Sequence, residues 1–273
     1  MKKINILIAL LLTLFLNGCQ EVIDVDLNTG PPKLIVEASI KWLKGTTGKE
    51  QKIKLTTTTS YYSSQIPTVS GAIITVKNRT NNTFNFIEIN NTGEYLCTDF
   101  IPVLNEVYTL NINLNGVTYT ATEILASVAP IEEIIQNNEG GFSGKDIQLK
   151  TYFTDPANQT NFYLFQYIFT DKIKQTFYAD EDTLFQGNRF FSLSRSNEIK
   201  KGDEVIVTHY GISKTYYNYL NVLISIAGGG GGGPFQSPPA TVRGNIINTT
   251  NKADYALGYF NLSEIDSRNY TVQ

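Results

Sequence analysis

Short runs of alternating apolar and polar residues, each closed by asparagine, glycine, proline or serine, recur through this chain and restrict it to pleated-sheet architectures. Seven of them fall between residues 33 and 126: 34–40, 52–58, 72–76, 84–89, 93–97, 108–114 and 117–122. A period of two places successive side chains on opposite faces, so each run reads as a strand with one buried face. Asn115-Gly116 separates the last two and is a strong two-residue hairpin signal, because both residues tolerate positive φ. Asn78 to Asn82 and Asn90-Asn91-Thr92-Gly93 carry similar turn chemistry. Seven strands at this spacing predict an immunoglobulin-like β-sandwich over 33–126.

Ser127-Val128-Ala129-Pro130 reads as a hinge into a second β-rich domain, 127–273, beginning Ile131-Glu132-Glu133-Ile134-Ile135. Its strand signals are 147–153, ending at Asp155-Pro156, the aromatic run 162–169, and 204–210. One helix is predicted over 213–227, with Ser213 as N-cap and Tyr216, Leu220, Leu223 and Ala227 on the packed face. A Gly-rich loop, 228–239, follows, opening with six consecutive glycines from Gly228 to Gly233. A phosphate-cradling loop needs a strand before it and a Lys-Ser or Lys-Thr ending with a helix after it, and this order is helix, glycines, prolines. Residues 241–248 and 255–260 are strand-like pieces expected to complete the second domain. The fold class is all-β.

The amino terminus addresses the chain. Lys2 and Lys3 precede an apolar run from Ile4 to Leu16, then Leu16-Asn17-Gly18-Cys19. A basic start, a short apolar stretch and a small residue before a processing point make a secretory leader. The cysteine directly after it makes a lipobox, so residues 1–19 form a lipoprotein signal peptide and Cys19 is the expected lipidation site. Two or more acyl chains hold a protein stably on a membrane. Residues 20–32 are an acidic tether in which Glu21, Asp24 and Asp26 alternate with apolar residues up to Gly30-Pro31-Pro32. Loss of Lys2 and Lys3 with the leader takes the formal charge from −3 to −5. No basic stripe is present, which argues against nucleic acid as a partner.

Catalytic chemistry is constrained by scarcity. His209 is the only histidine, so a Ser-His-Asp triad would have to use it and a multi-histidine metal site is impossible. It is expected as a half-exposed sheet residue. With Cys19 lipidated, Cys97 has no disulfide partner and is expected as a small buried hydrophobe. Asp180-Glu181-Asp182 and Glu132-Glu133 are the dense acidic spots; the first reads as a turn, and adjacent strand residues point to opposite faces. Calcium needs six to eight oxygens, more than Asp180, Glu181 and Asp182 supply locally. No cofactor, metal or catalytic residue is therefore assigned, and the chain is expected to be non-enzymatic. Tyr61, Tyr62 and Trp42 are the candidate ligand-binding residues, with stacking on a glycan or peptide as the chemistry.

Several landmarks together resemble the domain-of-unknown-function 4249 lipoproteins of Bacteroidota. They are the lipobox, 22–27 running into 32–37, Val69-Ser70-Gly71-Ala72, Gly93-Glu94-Tyr95, Gly244-Asn245-Ile246-Ile247-Asn248 and Leu257-Gly258-Tyr259-Phe260. The likeness spans nearly the whole mature chain. It implies an outer-membrane lipoprotein accessory to a TonB-dependent receptor in nutrient uptake, with surface exposure as one orientation. In such a protein the acidic tether is either a solvated leash or a surface-export signal, and Asp182-Thr183-Leu184 matches a short O-glycosylation acceptor pattern. The alternative is a stand-alone surface carbohydrate- or peptide-binding module.

Overall fold

The computed structural model describes residues 30–60, 62–141, 144–170, 174–196, 198–227 and 242–273. The lipobox with Cys19, the tether up to residue 29, Tyr61, and residues 228–241, which hold the glycine run, lie outside the described residues.

All seven N-terminal runs form strands: β1 (Leu34–Leu43), β2 (Gln51–Thr57), β3 (Ile73–Asn78), β4 (Thr83–Glu88), β5 (Glu94–Cys97), β6 (Val107–Leu114) and β7 (Val117–Ala126). The alternation behaves as read: Leu34, Val36, Ala38 and Ile40 of β1 are buried, while Glu37 and Lys41 face outward. Asn115 and Gly116 take φ of 51° and 80°, the positive values a tight hairpin requires. The interior is apolar and aromatic, with the Phe100 ring 4.6 Å from Phe84 and 5.2 Å from Tyr108.

The C-terminal half adds β8 (Glu133–Gly140), β9 (Asp146–Thr154), β10 (Phe162–Phe169), β11 (Lys174–Glu181), β12 (Arg189–Ser196), β13 (Glu204–Ile212), helix α1 (Lys214–Ala227), β14 (Ile247–Asn248) and β15 (Leu257–Thr271). A short 3-10 turn spans Asp182–Leu184. Strands β8, β9 and β12 form a three-stranded sheet, and all other strands join one twelve-stranded sheet. Phe153 of β9 and Phe165 of β10 meet between the two sheets at 5.5 Å.

Two sequence expectations change. The predicted sandwich over 33–126 is instead a closed ring, β15-β1-β2-β5-β4-β3-β6-β7, and its eighth stave comes from the carboxyl terminus. Short pairings close it: Ile87↔Leu96 between β4 and β5, and Leu262↔Leu125 between β15 and β7. Of the strand-like pieces expected near the carboxyl terminus, 247–248 and the strand beginning at Leu257 pair with this ring. Strand β14 pairs with β7, and β15 runs parallel to β1 from Ile35↔Leu257 to Leu43↔Ile265. The distal part of β15 then pairs with β13 from Tyr210↔Ile265 to Glu204↔Thr271. One strand thus belongs to both halves. Alternation specifies which face of a strand is buried, not which strand lies beside it, so this pairing was invisible in the pattern.

Helix α1 starts as predicted, the Ser213 hydroxyl accepting from the Tyr216 N–H at 3.1 Å. Its packed face is rotated from the expected one. Leu220 is buried and Tyr216, Tyr217, Tyr219 and Ile224 pack beside it, whereas Leu223 is 38% exposed. Leu220 shares a core cluster with Leu164 of β10 and Tyr210 and Ile212 of β13.

Candidate functional site

The parallel pairing of β1 and β15 builds a polar floor on the outer face of the ring. Residues that point away from the core on each strand become neighbours: Glu37 beside Tyr259, Ser39 beside Asn261, and Lys41 beside Ser263. The floor continues onto Tyr210 of β13, Leu164 and Gln166 of β10, and Gln175 and Phe177 of β11. Tyr216, Tyr219 and Leu223 of α1 wall it, enclosing a cavity of about 380 Å³.

Its wall is aromatic and fixed. The Tyr259 ring lies 4.7 Å from Tyr216 and 4.8 Å from Tyr219. The Tyr259 hydroxyl donates to the buried Glu123 carboxylate at 3.1 Å, which also accepts from Ser213 at 2.9 Å and Thr215 at 3.1 Å. These bonds tie the start of α1 to the ring. Burial raises the ionisation of Tyr216 and Tyr259 well above the ordinary range and pushes Tyr210 up to about 12, so all three remain neutral hydroxyls at physiological pH.

The polar groups are graded from satisfied to open. Tyr210 donates to Gln166 Oε1 at 2.6 Å, and Gln166 donates through Nε2 to Gln175 Oε1 at 3.0 Å. That chain ends at Gln175, which is exposed at the rim. Asn261 is only 3% exposed as a residue, and it lines the cavity. The Ser263 hydroxyl on the same face of β15 is buried without a partner. Lys41 reaches solvent at the mouth with its ammonium 5.6 Å above the Tyr210 ring. The surrounding walls desolvate it and lower its pKa, and no carboxylate among the described residues pairs with it.

Of the candidate ligand-binding residues, neither Trp42 nor Tyr62 lines this cavity, and Tyr61 lies outside the described residues. Trp42 ends β1 as a half-buried lid on the ring core, its indole N–H donating to the Thr46 carbonyl at 2.9 Å. Tyr62 is 75% exposed and follows the other end, where Thr57 pairs with Leu34. Eight residues of β1, roughly 26 Å of strand, separate the two ends. A joint site for Trp42 and Tyr62 is therefore not formed.

His209 is a correction. Rather than half-exposed, it is fully buried, stacked on Phe165 at 4.0 Å with Phe153 and Tyr163 around it, and neither ring nitrogen is hydrogen-bonded. Burial lowers its pKa to about 3. Cys97 is buried as expected, and burial pushes its thiol up to about 11. The acidic spots are spent internally. Asp182 is buried and accepts from the Asn161 N–H at 2.7 Å, while Glu181 faces solvent. Glu132 and Glu133 converge, against expectation, because both reach Arg189, Glu132 at 2.8 Å. No group of three His, Cys, Asp or Glu side chains among the described residues is arranged to hold a metal.

A second cavity of about 460 Å³ opens between β11 and β12, lined by Phe177, Phe190, Phe191 and Asp180. Burial raises the Asp180 pKa. Among the described residues, no lysine or arginine lines this cavity.

The signal that sequence reading missed was the row of tyrosines, Tyr216 and Tyr219 on α1 with Tyr210 and Tyr259 nearby. Helical spacing marks such rings as core, and here the same rings are both core and wall.

Fold and groove together define a mainly β protein with a cavity between sheet and helix, bordered by the small core under α1. A family model described as Domain of unknown function (DUF4249) matches residues 20–269, and the chain belongs to that family. No curated protein matches the chain. Among solved structures, a chain titled as a cytokine receptor complex is similar at 7% identity, covering 67% of this chain and 86% of that one, with a TM-score of 0.28. A two-domain fibronectin type III segment from chicken tenascin is similar at 10% identity, covering 66% and 90%, with a TM-score of 0.22.

Proposed function

We propose that the protein is a non-enzymatic, lipid-anchored accessory component of the outer membrane, acting beside a TonB-dependent receptor in nutrient uptake. The observation that carries this reading is the junction at Cys19: the lipobox ends there, and the family match begins at the next residue, Gln20. Processing at that point delivers the whole family-matched chain to a membrane on an acidic tether. The non-enzymatic part is supported by the state of the two side chains best suited to catalysis. His209 is sealed in an aromatic stack with a pKa of about 3, and the Cys97 thiol is buried with a pKa of about 11.

The test is a crosslinked pull-down of the native lipidated protein from membranes, with Cys19→Ala as control and partners identified by mass spectrometry. A TonB-dependent receptor enriched only with the lipidated form is the expected result. Recovery of a normally anchored protein without any receptor overturns the accessory reading.

The second reading, a surface binding module, is favoured by the groove under α1, where open polar groups and aromatic rings converge. Neither Trp42 nor Tyr62 lines that groove, so its binding chemistry is separate from theirs.

A further inference from the structure

The groove under α1 has a chemical bias that narrows its ligand. Its floor offers side chains rather than free backbone. Strands β1, β15, β13 and β10 are each paired on both sides, and only β11 is an open edge. An extended peptide binding by strand addition needs unpaired N–H and C=O groups, which this floor presents only at its β11 rim. What it presents is a tyrosine wall, amides and one ammonium.

Each of these answers a different part of an acidic sugar. The Asn261 amide lines the groove and has both a donor and an acceptor to offer, which suits small groups that both donate and accept. Hydroxyls do this. The Gln175 amide at the rim, held by the Tyr210-Gln166-Gln175 chain, is preoriented for the same task. Tyr219 supplies a ring for the C–H face of a pyranose. Lys41 and Glu37 lie on the same face of β1 four residues apart, roughly 13 Å, about the span of two to three sugar units. The unpaired Lys41 ammonium fits a carboxylate at one end, and the Glu37 carboxylate accepts from hydroxyls at the other.

We propose that this groove binds an acidic oligosaccharide, with the sugar carboxylate at Lys41, hydroxyls on Asn261 and Gln175, and a ring face against Tyr219. The inference rests on the binding-module reading and does not require the receptor.

Calorimetric titration of the detergent-solubilised full-length lipoprotein with trigalacturonate, and with neutral galactotriose as comparator, tests it. Saturable trigalacturonate binding is expected, at least tenfold tighter than the neutral trisaccharide. Lys41→Met should weaken it tenfold or more, and Lys41→Arg should restore most of it. Tyr219→Ala should weaken both sugars. If Lys41→Met does not fold by circular dichroism, Gln175→Ala at the exposed rim takes its place, with a fivefold loss expected. Trigalacturonate binding unchanged in these variants overturns the groove as the site while the binding-module reading stands. Equal affinity for the neutral sugar overturns the acidic class. No binding of either sugar overturns the proposal for this groove, and saturable binding of peptides in its place assigns the module to the other ligand class.

Discussion

The Tyr259 hydroxyl donates to the Glu123 carboxylate at 3.1 Å across 136 residues of chain, and this bond joins β15, β7 and the first turn of α1. Glu123 accepts from three hydroxyls while 7% exposed, so it acts as a buried acceptor hub for Tyr259, Ser213 and Thr215.

Glu123→Ala should destabilise the protein by about 2–4 kcal/mol, because three donors lose their acceptor in a buried place. Glu123→Gln keeps one carbonyl oxygen and should cost less. Urea unfolding of the two variants checks the order; equal midpoints for Glu123→Ala and wild type would sink the idea.

Gly258 takes φ +93°, and a Cβ there would overlap the Val36 carbonyl of the adjacent strand. Both effects penalise any side chain, so Gly258→Ala should cost at least about 2 kcal/mol and loosen the β1–β15 pairing. Hydrogen exchange along β1 should accelerate in that variant while β10 remains protected.

His209 makes stability acid-sensitive. Its folded pKa of about 3 lies below the ordinary value near 6.5, so between those values the unfolded chain binds a proton that the folded chain does not. Stability from this group is therefore complete above about pH 6.5 and falls as pH drops toward 3, by on the order of 4 kcal/mol in full. Denaturant midpoints measured from pH 7 to pH 4 should fall less steeply in His209→Phe than in wild type.

Cys97 should resist alkylation in the native state at pH 8, because its thiol is 1% exposed, donates to Asp99 Oδ1 at 3.1 Å and has its pKa pushed up to about 11. Iodoacetamide labelling followed by mass spectrometry, with and without urea, measures it. Rapid native labelling would contradict the buried placement.

Local rules made the strands legible. Val36, Ala38 and Ile40 alternate with Glu37, Ser39 and Lys41, and Asn115-Gly116 could do little but turn. Ser213 announced α1 through a bond spanning only three residues. The candidate site was not legible. Trp42 and Tyr62 stood out as exposed aromatics, yet the strand between them holds them apart. Ser39 and Asn261 looked ordinary and become neighbours only because β15 returns to β1.

By itself the sequence determined the β class, the turns and the helix start, all properties encoded within a few residues. Tertiary structure alone decided that the ring closes through a C-terminal stave, that His209 is sealed among aromatic rings, and that Lys41, Asn261 and Tyr219 share a groove. The physical reason is that period-two alternation chooses which side chains are buried, whereas the partner across a ladder is chosen by the packing of the whole core.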